Sequence, residues 1–117
     1  MTEFRLHAAC KQFLDTALPA DACWFHIPNS PRNKVAGAKL KKMGMKAGMP
    51  DICIHYRGET LYVELKAPKG RLSPAQKDMQ MQLARAGVRV MTECRSVEAL
   101  EAYLEQFMPL KARLVAA

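Results

Sequence analysis

Three side chains able to work on a phosphate ester lie close together in the stretch MPDICIHYRGETLYVELKAPKG: Asp51, Glu64 and Lys66. Hard divalent cations take oxygen ligands, and Mg²⁺ commonly uses only one or two protein carboxylates, leaving room for water and phosphate oxygens. A cation so held polarises a phosphoryl group and makes water a better nucleophile. A neighbouring ammonium can orient or deprotonate that water, or offset charge in the transition state. The same three residue types also make an ordinary salt bridge on a solvated strand. What separates the two readings is how the chain positions them.

Strand side chains alternate between faces. In the first run Ile52, Ile54 and Tyr56 share one face, and Asp51, Cys53 and His55 the other. In the second run Leu61, Val63 and Leu65 form the apolar set, opposite Tyr62, Glu64 and Lys66. A hairpin turning on Arg57-Gly58-Glu59-Thr60, or on its central pair, predicts that Asp51 faces Lys66 and Cys53 faces Glu64. Ile52, Ile54 and Tyr56 then meet Leu65, Val63 and Leu61, so the apolar faces match and the acids and lysine gather on the other face. A slip of one residue would mix the faces and bury a charge. Diagonal neighbours lie roughly 7–8 Å apart, so Asp51 and Glu64 can converge on one cation. His7, His26 and His55 have no metal-like spacing; His55 shares Asp51's face, which leaves it a minor role with substrate.

The flanking elements follow from local signals. Thr2 caps a helix over about 3–18, with Phe4, Ala8, Leu14, Ala17 and Leu18 at near-helical spacing. Residues 23–27 read as a short strand, and PNSPRN as a break. Ser73, Pro74 and Gln76 form a capping box with proline at the first helical position; that helix runs to about Ala86 and stops at Gly87. VRVMTE (88–93) is a strand, and Ser96 caps a last helix with Val97, Leu100, Tyr103, Leu104 and Phe107 on one face. The predicted order is α-β-β-β-α-β-α with a basic loop after the first strand, a mixed α/β domain. Its 117 residues suit one domain spanning 1–117.

The chain carries 18 basic and 11 acidic residues, a net charge of +7. Residues 32–46, RNKVAGAKLKKMGMK, hold six of the bases and no acid; without them 12 bases face 11 acids. A surplus so concentrated implies a polyanionic partner. The glycines at 37, 44 and 48 argue against a long helix here, so the expectation is a mobile or irregular basic loop with at most one helical turn. Its Arg32, Lys34, Lys39, Lys41, Lys42 and Lys46 are the candidate phosphate contacts, which position DNA without reading its sequence. Aromatic residues make up only 7% and no stacking motif appears, which disfavours an RNA-binding module. The cysteines at 10, 23, 53 and 94 lack Cys-x-x-Cys spacing, and read as free thiols of a reducing cytosol. No apolar run approaches membrane length, and the N-terminus does not read as a signal peptide.

With Gly48-x-Pro50-Asp51, Glu64-Leu65-Lys66, Gly70-Arg71-Leu72-Ser73 and Gln76 in this order, the chain resembles the VRR-NUC family, a branch of the PD-(D/E)xK nuclease superfamily, over roughly residues 3–107. The resemblance is to the compact stand-alone type of phages and bacteria. It implies a restriction-endonuclease-like core, a mixed sheet flanked by helices. It makes Asp51, Glu64 and the carbonyl of Leu65 ligands of Mg²⁺ or Mn²⁺, and Lys66 the catalytic lysine. Gln76 joins the site, besides its capping role. Glu3 is the candidate for the glutamate that the family's first helix adds, in line with Cys10 and Leu14; an acid there also suits a helix's first turn. The implied activity is metal-dependent endonucleolytic cleavage of branched DNA by a Holliday junction resolvase-like homodimer, in the cytoplasm of a bacterium or phage-infected cell. The alternatives are a flap- or nick-directed enzyme, a restriction-like nuclease, or a DNA-binding module that does not cut.

Overall fold

The computed structural model describes residues 1–28 and 33–114. In chain order the elements are α1 (Glu3–Ala17), β1 (Ala22–His26), α2 (Lys34–Lys42), β2 (Ile52–Tyr56), β3 (Glu59–Leu65), α3 (Pro74–Arg85), β4 (Arg89–Cys94) and α4 (Val97–Leu104). The strands form one open sheet in the order β1-β2-β3-β4. β1 with β2 and β2 with β3 are antiparallel, whereas β3 and β4 are parallel. A parallel pair needs a long crossover, and α3 supplies it. The mixed sheet flanked by helices is the expected fold class.

The apolar face of the hairpin makes the core. Ile52, Ile54, Leu61, Val63 and Leu65 are fully buried there against Leu6, Cys10 and Leu14 of α1 and Leu100 and Leu104 of α4. α1 turns its inward stripe slightly from the one expected. Leu6, Cys10, Phe13, Leu14 and Ala17 are buried, while Phe4 is 82% exposed and Ala8 is also at the surface.

The hairpin corrects the expected register. Arg57 and Gly58 alone form the turn, both with positive φ, at 47° and 81°, the backbone of a two-residue type I′ connection. The pairs are therefore Tyr56 with Glu59, Ile54 with Leu61 and Ile52 with Val63. Every partner is displaced by two residues from the expected ladder. Because the side-chain period is also two, no residue changes face. The consequence falls on the acids: one step beyond the last pair, Asp51 lies opposite Glu64 and not Lys66.

The basic segment is a helix, not the expected irregular loop. Asn33 caps it, its side chain accepting from the N–H of Ala36 at 2.8 Å. At the other end Gly44, at φ 106°, donates to Lys41 O, and Met45 donates to Leu40 O. These two bonds are a Schellman cap. The glycine that argued against a helix is what closes it. Lys39, Lys41 and Lys42 in its last turn suit the negative end of the helix dipole.

Candidate active site

The site forms at the end of β3, on the face opposite the core. Val63 pairs with Met91 but Leu65 with Cys94, so two steps along β3 match three along β4. Such an irregularity re-aims side chains and is common beside active sites. Here it brackets Glu64. Beyond it, Lys66 N–H donates to Cys94 O at 2.9 Å, which carries the main chain through to the lysine.

Asp51 is fixed from both ends. Its carbonyl accepts from Ile27 N–H and from His26 Nδ1, each at 2.8 Å. A carbonyl can only accept, so the His26 proton sits on Nδ1. Its carboxylate Oδ2 accepts from Leu65 N–H at 2.8 Å, which ties the head of β2 to the Glu64-Leu65-Lys66 segment. The loop leading to Asp51 rests directly on α3. Gly48 has φ +81°, and a Cβ there would stand 2.3 Å from Ala75 O and 2.8 Å from Gln76 N. Only glycine lets this loop approach the helix backbone so closely.

Gln76 does two jobs with one oxygen. Its Oε1 accepts from Ser73 N–H at 2.9 Å, completing the capping box with the Gln76 N–H to Ser73 Oγ bond. The same oxygen accepts from Lys66 Nζ at 2.9 Å. Lys66 is only 9% exposed, so the helix cap holds the ammonium in place within the site.

Glu64 is 1% exposed, and its Oε1 has no hydrogen-bond partner among the described residues. Burial pushes its carboxyl up to about 9; a hydrogen bond with Asp51 and the Asp51 charge add to this, Lys66 opposes it, and Glu3 adds again. A buried carboxylate oxygen without a partner is costly. Two acids opposed at a strand end, one with an orphaned oxygen, fit a divalent cation, whose charge would replace the proton. Among the described residues no three His, Cys, Asp or Glu side chains converge as a metal cage. A pair of carboxylates completed by main chain, water and phosphate matches the way Mg²⁺ is held.

Glu3 lies at the rim. It is exposed, yet its charge acts on both Glu64 and His7. His7 lies one turn along the same stripe and packs edge-on against His26, with ring centroids 4.5 Å apart. The two histidines thus border Asp51, a neighbourhood that their sequence spacing did not reveal. His55 is held by Thr60 Oγ1 at 3.0 Å and Cys53 Sγ at 3.6 Å. Sequence reasoning also missed Arg95. Its guanidinium donates to Ala67 O at 2.6 Å, Pro68 O at 3.2 Å and Gly70 O at 2.9 Å, pinning the loop that follows Lys66. Those partners lie 25–28 residues away in sequence, so no local signal marks them. Lys34, Lys39, Lys41 and Lys42 line up on α2, and Lys46 follows it, all exposed. Arg32 lies outside the described residues.

A mixed sheet flanked by helices carries an aspartate at the head of one strand and Glu64, Leu65 and Lys66 at the end of its neighbour. The chain belongs to the VRR-NUC domain family, whose sequence profile matches residues 1–98, and membership implies a nuclease of the PD-(D/E)xK type. Two solved structures share the fold. One, described as a VRR_NUC domain protein, has a TM-score of 0.69 and 21% identity, over 92% of this chain and 88% of that one. Another, described as a VRR_NUC domain, has a TM-score of 0.62 and 16% identity, over 92% of this chain and 99% of that one. A search of curated proteins finds no match. No helix among the described residues is long and apolar enough to cross a membrane.

Proposed function

We propose that this chain is a Mg²⁺- or Mn²⁺-dependent DNA endonuclease that cuts branched DNA as a homodimer, in the cytoplasm of a bacterial or phage-infected cell. The observation that carries the metal-dependent reading is Glu64, a buried carboxylate with an orphaned oxygen, opposite Asp51 and beside Lys66. A protein that only binds DNA gains nothing from acids placed where phosphates arrive. Asp51, Glu64 and the Leu65 carbonyl would hold the cation, with Glu3 at the rim adding charge. Once bound, the cation supplies Lewis-acid polarisation of the phosphoryl group and a more acidic water. Lys66, aimed by Gln76, orients the attacking water and offsets charge on the phosphate as the bond breaks. The α2 lysines hold the DNA backbone. The branched-DNA preference and the dimer rest on the resemblance to stand-alone family members; a C₂ dimer places two sites symmetrically, as paired cuts in a four-way junction require.

The test is cleavage of a labelled four-way junction, a 5′ flap, a duplex and a single strand, each with Mg²⁺, Mn²⁺ or EDTA. Wild type and Lys66→Ala are compared. Paired symmetric junction cuts that need metal, and that fall by about 10²–10³ in the variant, are expected. Cutting of flaps or plain duplex would keep the nuclease and remove the junction preference. Tight binding without cutting under either metal would make the acids structural and leave a DNA-binding module.

A further inference from the structure

A cavity of about 740 Å³ opens between the 68–72 loop, α3 and β4. It is separate from α2 and shares none of its lysines. We propose that this cavity is a second phosphate subsite. It takes a backbone phosphodiester of the bound DNA, a few nucleotides from the bond that is cut. The assignment rests on the nuclease reading above and adds to it where the DNA strand runs.

Charge points to an anion. Lys69, Arg71, Lys77 and Arg95 line the cavity against a single acid, Glu93. Glu93 is already paired with Arg95, at 2.9 Å. Lys69, Arg71 and Lys77 form no ion pair among the described residues, so three cations face one concavity uncompensated. Like charges gathered around a hollow repel each other until an anion enters.

Rigidity favours a site already shaped for its ligand. The Arg95 guanidinium is committed to three carbonyls of the loop backbone, those of Ala67, Pro68 and Gly70. Gly70 N–H closes the same loop onto Ala67 O at 2.9 Å. The chain segment that carries Lys69 and Arg71 is therefore shaped before any ligand arrives, which lowers the ordering cost of binding.

The cavity is also continuous with the chemistry. A Cβ on Gly70 would lie 3.5 Å from Lys66 Cδ, so the cavity wall runs beside the stem of the proposed catalytic lysine. Lys77 directly follows Gln76, which holds the other end of that side chain. A strand whose phosphate meets Lys66 has its next phosphates within reach of this hollow. Arginine and lysine suit the ligand: a guanidinium offers a planar fork to phosphate oxygens and an ammonium a point charge.

The test uses a fluorescein-labelled flap DNA and a set of copies, each with one uncharged methylphosphonate at a different position around the branch. Binding in EDTA is compared for wild type, for the double variant Arg71→Gln with Lys77→Gln, and for Lys111→Gln as a single-charge control outside the cavity. The expected result is a loss of about tenfold in the double variant, with the log–log salt slope lower by about 0.9. One methylphosphonate position should weaken wild type by a similar factor and leave the double variant unchanged. A loss no greater than that of the control, or one equal at every methylphosphonate position, would overturn the subsite. Should the double variant melt early, the two single variants carry the same comparison. Cleavage of the unmodified DNA by wild type with Mg²⁺ is scored in parallel. Coupling without cleavage would retain the subsite and remove the nuclease; cleavage without coupling would do the reverse.

Discussion

The end of β3 and the helix α2 are the acidic and basic poles of this molecule, and they are built in opposite ways. Around Glu64 everything is fixed. Asp51 is held through both its carbonyl and its carboxylate, Lys66 through both its main chain and its ammonium, and Gly48 lets the loop touch the α3 backbone. α2 is the reverse. Among the described residues none of its side chains is buried, its lysines are all exposed, and caps close its two ends. Under the proposed function, the difference follows from what each pole would do. A cation between two carboxylates tolerates little displacement, and an ångström of misplacement near the chemistry can cost about a hundredfold. Attraction between a lysine and a phosphate falls slowly with distance, so a patch that only gathers DNA needs charge and not geometry.

The strongest way to break this contrast is to neutralise one acid. Asp51→Asn keeps the shape and can still accept from Leu65 N–H, but it removes the charge of a proposed ligand. Metal-dependent cleavage should fall by about 10³ or more under saturating DNA, while DNA affinity holds or rises. Single-turnover rates beside anisotropy titrations separate the two. A mutant that cuts at near wild-type rate would mean the rigid pole is not the catalytic one.

A steric change at the same pole comes next. Gly48→Ala places a methyl within 2.3 Å of Ala75 O and asks alanine to hold φ +81°. The loop and α3 must separate, at a cost of about 3 kcal/mol, and Gln76 moves off Lys66 as they do. Denaturant unfolding reads the first effect and the cleavage rate the second. The same substitution at Gly37 of α2 should be mild, since helix interiors favour alanine over glycine by about 1 kcal/mol.

Weaker effects belong to the basic pole. Replacing Lys34, Lys39, Lys41 and Lys42 together by glutamine should weaken DNA binding by about 10²-fold at moderate salt. The log–log salt slope should flatten by about 0.9 for each phosphate that the variant no longer neutralises. The cleavage rate at saturating DNA should stay within a few-fold of wild type, because in the proposed function these residues only position the backbone. A collapse of the saturated rate would place α2 in the chemistry and erase the contrast.

How far the sequence foretold these two poles follows the same division. Period-two alternation marked both faces of the hairpin, and the apolar face from Ile52 to Leu65 is buried as it requires. The partner of each residue was not legible, because a shift of two leaves every face intact; only the positive φ at Arg57 and Gly58 selects the register. The Ser73–Gln76 box was legible as a helix start. That its glutamine oxygen also receives Lys66 depends on how α3 lies across the sheet, which no local pattern encodes. α2 is hidden for a different reason: glycines weigh against a helix in general, but Gly44 stands at its C-terminal cap, where glycine favours one. Arg95 left no trace at all, since it is an ordinary surface residue type whose carbonyl partners are remote in sequence.

The last test probes the acid pole without any DNA. Glu64 holds its proton more tightly in the folded protein than in the unfolded chain, through burial first and Asp51 second. The folded state therefore binds more protons, and stability falls as pH rises. The fall runs between the ordinary carboxyl value of 4.5 and the folded value of about 9, and is absent outside that window. Its greatest slope is about 1.4 kcal/mol per pH unit for one proton. In EDTA, the stability difference between wild type and Glu64→Gln should therefore move in favour of the variant from pH 6 to pH 8. Mg²⁺ should reverse this for wild type alone, because a cation at the site takes the place of the proton and stabilises the folded state by mass action. A wild-type stability flat with pH in EDTA and unmoved by Mg²⁺ would mean that Glu64 is neither strained by burial nor a ligand, and the two poles would differ in charge alone.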